Sequence, residues 1–167
     1  MGMHTARRPA PIGVSELPAL SAVVFAIAAI VAVFLPWYLP NLAGPLELDP
    51  ASGWSATSLG KGTLVVAVIW LVAAGLSLME QVSPGRLDRS TLNLMGWLVT
   101  GCALLCTLMT VYRFLRPPPP ADFLTRDYGL FIAIAASVAG VGAGLAMTHG
   151  RRPRTRASAR RRALRGA

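Results

Sequence analysis

The chain has 167 residues, of which 54% are hydrophobic and 14% charged, a balance too apolar for an ordinary soluble domain and long enough for one compact membrane bundle. Its net charge of +9 does not mark a nucleic-acid surface. Eight of the sixteen basic residues follow Gly150, beyond the last apolar run, so the charge describes a tail and not a fold.

Residues 1–16 form an amino-terminal segment in which Arg7 and Arg8 read as an interfacial anchor. The apolar run that follows is too long for a cleaved signal peptide, and Pro36, Trp37, Tyr38 and Pro40 stand where a small-x-small cleavage site would be expected. Crossing ~30 Å of hydrocarbon at ~1.5 Å per residue takes ~20 apolar residues. Four segments meet or approach that length, at about 17–35, 63–79, 92–112 and 128–147, and they predict an all-α, four-helix transmembrane domain over residues 17–148. The second run is the shortest, and extension towards Leu59 and Val82 would complete it. Pro117 to Pro120 ends the third helix as a stiff strut without backbone donors. Residues 149–167 form a basic tail, rich in arginine and without acids, expected to be disordered when free.

Cytoplasmic segments retain Lys and Arg. An even number of crossings places both termini on one side, and that side, with the second loop, holds twelve of the sixteen basic residues. The tail decides this assignment, since the other eight divide evenly. Arginine almost to the exclusion of lysine, with abundant Ala, Gly and Pro, suggests a high-GC genome and a bacterial plasma membrane. On this topology Trp37, Tyr38, Tyr112, Phe114 and Tyr128 gather at the outer membrane edge as an aromatic belt.

The helices themselves offer little chemistry. Cys102 and Cys106 fall on one face of a helix and read as small packing residues, with no His, Asp or Glu in that run to complete a metal site. Ala136, Gly140 and Gly144 recur every fourth residue as a stripe where backbones can approach closely, either inside the bundle or at a homodimer or partner-helix interface. Gly96, Thr100, Ala103 and Thr107 supply a matching face on the third helix. No charge lies at membrane depth, and Ser77, Thr100, Thr107, Thr110 and Ser137 can bond the carbonyl one turn earlier, which disfavours a proton- or ion-coupled pathway. Glu47, Asp49 and Asp122 in the outer loops lack a neighbouring His or motif. No catalytic residue, metal ligand or cofactor site is assigned.

Two charged features remain. Arg113, at the end of the third helix, suits the helix dipole and is expected to tether the long first outer loop, with Glu47, Asp49 and Asp122 as candidate partners. In the tail, Arg151, Arg152, Arg154, Arg156, Arg160, Arg161, Arg162 and Arg165 are expected to adsorb to anionic lipid head groups. Nucleic acid is the weaker reading there, because no aromatic residue is interleaved for base stacking.

Phe34-Leu35-Pro36-Trp37-Tyr38, Gly53-Trp54, Tyr112-Arg113 with Pro117, and Tyr128-Gly129 together resemble the uncharacterised four-helix membrane proteins of actinobacteria, over roughly residues 20–148. The resemblance implies a shared fold and topology, with Trp54 and Arg113 as structural residues of the outer loops, and no activity. Such proteins often carry an aromatic residue three after the loop tryptophan and an acid seven after it, where this chain has Thr57 and Lys61. The leading functional reading is a non-enzymatic accessory or scaffolding component of the cell envelope. It would work in the lipid bilayer beside a membrane-protein partner or as a homo-oligomer, and the alternative is an oligomeric transporter or channel component.

Overall fold

The computed structural model describes residues 17–40, 50–83, 85, 87–119 and 124–149. The amino-terminal segment, Glu47, Asp49, Asp122 and the tail arginines lie outside the described residues. In chain order the elements are α1 (Leu17–Phe34), β1 (Pro36–Pro40), β2 (Ala51–Ser52), α2 (Gly53–Ala56), α3 (Ser58–Val82), α4 (Arg89–Leu115), β3 (Leu124–Arg126) and α5 (Tyr128–His149).

Four of the helices, α1, α3, α4 and α5, are long and apolar enough to cross a membrane. Two of them, α3 and α4, exceed the expected spans at both ends. The apolar run expected at 63–79 becomes a helix of 25 residues, because Thr57 caps it: its Oγ1 accepts the Gly60 N–H at 3.0 Å, satisfying a donor that the first turn leaves open. At the other end of that helix the Ser83 N–H donates to the Met79 carbonyl at 2.9 Å. α4 likewise runs to Leu115, closed by the Arg116 N–H on the Tyr112 carbonyl at 2.8 Å, and it stops ahead of Pro117. Apolar runs mark the hydrocarbon, whereas caps mark the helix ends.

The long helices form a closed ring in which α1 packs on α3 and α5, and α4 packs on the same two. Their composition is inverted relative to a water-soluble bundle. α1 turns Ala19, Ala22, Ala26 and Ala29 inward, and leaves Val24, Ile27 and Val31 exposed; α3 buries Ala67, Ala73 and Ala74, and exposes Val65, Val68, Ile69 and Val72. Small residues facing helices and large aliphatic residues facing outward are the arrangement expected where lipid is the solvent and close backbone contact is the glue. The protein is a multi-pass integral membrane protein.

The stripe on α5 meets two different partners. A β-carbon on Gly140 would collide with the Trp70 ring of α3, which reaches across the bundle and is fully buried, and one on Gly144 would lie 2.5 Å from Thr100 Oγ1 of α4. Ala136, on the same face, is also buried. Gly96 of α4 approaches the Thr148 side chain in the same way. Cys102 and Cys106 are buried as free thiols, with Cys106 Sγ 3.7 Å from the Thr63 carbonyl oxygen.

Buried and half-buried hydroxyls mostly bond one turn back along their own helix: Thr100 to Gly96, Thr107 to Ala103, Thr110 to Cys106 and Ser137 to Ala133, at 2.8–2.9 Å. Ser77 departs from that expectation, since its buried Oγ has no hydrogen-bond partner, and neither does the Trp70 indole nitrogen. At the end away from the sheet, the buried Glu80 carboxylate accepts the N–H groups of Gly85 at 2.6 Å and Leu87 at 3.1 Å, which fixes the turn between α3 and α4. Gly85 takes φ +114°, a conformation that residues with a β-carbon rarely adopt.

Replacing Gly140 by Val forces a branched side chain against Trp70 and is expected to destabilise the bundle by ~1–3 kcal/mol through overpacking. Adding Trp70→Leu should recover part of that loss. Thermal unfolding in detergent of the single and double variants measures both effects, and additive losses would show that Gly140 and Trp70 do not share a site.

Candidate functional site

The sequence pattern does not anticipate a sheet, yet one closes the end of the bundle where α1 and α4 finish and α3 and α5 begin. β1 is its central strand, with β2 and β3 antiparallel on either side. Pro36 and Pro40 bound β1, positions where a missing N–H is tolerated. Pro36 pairs with Ser52 and Tyr38 with Ala51, so the register slips at Trp37. Such a bulge breaks the in-out alternation of a strand, and Trp37 and Tyr38 are both fully buried. The aromatic belt expected from sequence is therefore corrected at these two positions. They form the core of a cap, whereas Tyr112 and Tyr128 stay exposed at its margin.

Trp37 holds the cap to α1 by donating its indole N–H to the Ala32 carbonyl at 2.7 Å, while its own carbonyl accepts the Asp127 N–H at 2.8 Å. Its ring rests on Gly53, where a β-carbon would overlap it, and Gly60 in turn lies against the Gly53 carbonyl. Gly129 permits the same closeness between α5 and the end of α1, 2.5 Å from a built β-carbon to the Pro36 oxygen. Glycine at these three places lets the cap sit directly on the helix ends.

Trp54, on α2, is 44% exposed and stacks on Phe34 with centroids 6.1 Å apart, and the Lys61 ammonium lies 5.2 Å from its ring centre. Thr57 and Lys61 thus have local roles as the cap of α3 and as a cation on the Trp54 face.

On the opposite side of the sheet, Tyr38 pairs across the ladder with Arg126 and donates its hydroxyl to the Arg113 carbonyl at 3.0 Å. β1 is thereby tied to α4 through the Arg113 main chain. The Arg113 side chain contributes no such bond: its Nε is buried and lacks a hydrogen-bond partner. Arg126 donates Nε to the Phe114 carbonyl at 2.7 Å and lays its guanidinium 5.0 Å from the Phe114 ring centre. Phe114 meets Phe131 edge-on at 5.7 Å. Two carbonyls that the end of α4 leaves open are satisfied in this way, one by a phenol and one by an arginine.

The sequence reading singled out Arg113 and Trp54, which the fold places on separate sides of the cap, and passed over Arg126. Arg126 carries no motif, and only its ladder position opposite Tyr38 brings it to the end of α4. Among the described residues no group of three or more His, Cys, Asp or Glu side chains could hold a metal ion. Comparison of the chain with protein-family models, curated proteins and solved structures finds no match.

Burial pushes the Tyr38 phenol above its ordinary value of 10.0, and the opposing Arg113 and Arg126 charges do not cancel that rise. A group whose folded value is raised contributes stability that is complete below the unfolded value and is lost as pH climbs through the folded one. Thermal unfolding in detergent should therefore show the cap weakening only at alkaline pH above 10.0. Tyr38→Phe should cost ~0.5–1.5 kcal/mol at neutral pH and flatten that alkaline loss.

Proposed function

We propose that the protein is a non-enzymatic accessory or scaffolding component of a bacterial envelope membrane, with both termini in the cytoplasm and the cap outside. The observation that carries this reading is the filled bundle axis: alanines of α1, Trp70 against Gly140 and Thr100 against Gly144 meet in side-chain or backbone contact. At one end, side-chain hydrogen bonds from Trp37, Tyr38 and Arg126 tie an ordered cap to the helix ends. A filled axis with an ordered surface at one end suits a protein that presents a shape to a neighbour.

A lateral surface for such a neighbour is available. Between α3 and α4 an apolar groove of about 230 Å³ opens away from the bundle, lined by Val68, Ile69, Val72, Ala73, Leu76, Met95 and Leu98. The basic tail fits the same reading, because ~1 kcal/mol per arginine near an anionic leaflet would hold the cytoplasmic side at the membrane.

Gentle extraction of the tagged full chain from its native membrane, followed by mass spectrometry of the intact particle, tests the proposal. A foreign membrane protein at fixed stoichiometry is the expected result. A pure homo-oligomer that supports solute or ion flux in liposomes would overturn it in favour of an oligomeric transporter or channel component.

A further inference from the structure

The cap carries two guanidinium groups, Arg113 and Arg126, and among the described residues the nearest carboxylate in sequence, Asp127, accepts the Tyr128 N–H at 2.7 Å. Arg113 and Arg126 are brought to one patch by Tyr38, which bonds the carbonyl of the first and pairs across the sheet with the second. Among the described residues neither arginine is in an ion pair, and Arg113 Nε is buried without any acceptor. A guanidinium nitrogen stripped of water and left without a partner is costly, and an anion is the group that relieves it.

The surroundings place this patch at the level of lipid head groups. Arg126 lies on Phe114, Phe114 lies on Phe131, and Phe131 is 52% exposed on the first turn of a membrane-spanning helix. Tyr112, next to Arg113, and Tyr128, two residues after Arg126, are exposed and of a kind that favours the membrane interface. Arg126 is also held in place, because its Nε is committed to the Phe114 carbonyl and its guanidinium lies over the Phe114 ring. An arginine fixed in this way has lost much of its side-chain freedom before any ligand arrives, which lowers the cost of binding. Arginine forks match the oxygens of a phosphate in paired hydrogen bonds.

We infer that Arg113 and Arg126 form a binding site for the phosphate of a lipid head group, with preference for a lipid of net negative charge. The site is built by the cap and does not depend on whether the protein serves as an accessory subunit.

The test uses the full chain in nanodiscs containing a photoactivatable phosphatidylglycerol, with the labelled peptides mapped by mass spectrometry so that cap and tail are read separately. Labelling around residues 112–131 is expected in the wild type. Arg113→Gln removes a charge whose Nε makes no hydrogen bond, so it leaves the cap bonds in place. It should weaken the apparent affinity of the cap label by about fivefold, and Arg113→Lys should restore most of it. The double variant Arg113→Gln/Arg126→Gln should abolish cap labelling while tail labelling persists. Cap labelling unchanged in Arg113→Gln and in the double variant would overturn the site. Stabilisation of the detergent-purified chain by inorganic phosphate but not by phosphatidylglycerol would assign it to a soluble anion and overturn the lipid assignment.

Discussion

In hydrocarbon an apolar side chain gains nothing by leaving lipid for another helix, so cohesion must come from close contact between surfaces that fit. That constraint explains why the interior of this bundle is made of the smallest residues. Ala19, Ala22, Ala26 and Ala29 repeat at intervals of three and four, the spacing that keeps one face of a helix turned to its neighbours. Gly144 admits Thr100, and Gly140 admits Trp70, the largest side chain of the bundle interior. Where small residues alone would leave the centre hollow, a single indole fills it, and a glycine two helices away in sequence makes the room.

The cap solves a different problem, the unpaired carbonyls and donors where helices end at the membrane surface. Trp37 reaches back to Ala32, Tyr38 to Arg113, and Arg126 to Phe114, so three helix-end carbonyls are satisfied by side chains of the sheet. Each contact joins a strand to a helix, which makes the sheet a clasp across α1 and α4. Its glycines matter as much as its aromatics. Gly53, Gly60 and Gly129 stand where a β-carbon would hold the layers apart.

The helices were legible because apolar length is a strong signal, and Leu17, Tyr128 and the interior of all four runs fall where composition puts them. The true start of α3 at Ser58 was not, since it depends on a threonine cap preceding a stretch with two glycines and a lysine. β1 was hidden by its two prolines and by tryptophan and tyrosine, residues equally at home in an interfacial belt. Periodicity exposed the small stripe of α5 but could not say that Gly140 faces α3 while Gly144 faces α4. Arg113 stood out by following the last apolar run, whereas Arg126 acquires its place only through strand pairing, a relation between residues 88 positions apart in the chain from Tyr38.

The alanine face of α1 has a further consequence, in the currency of disorder. An alanine or glycine has no rotamers to freeze when helices come together, whereas a buried leucine or isoleucine gives up ~0.5–1 kcal/mol of side-chain freedom. Apart from Trp70 and a few others such as Met147, the larger apolar side chains of this bundle mostly point into fluid lipid instead, as Val24, Ile27 and Val31 do. Assembly therefore asks little of the side chains, and the contacts that result have few alternative packings. Relative motion between helices must then occur as displacement of whole rods, with the clasp of β1 moving along with them.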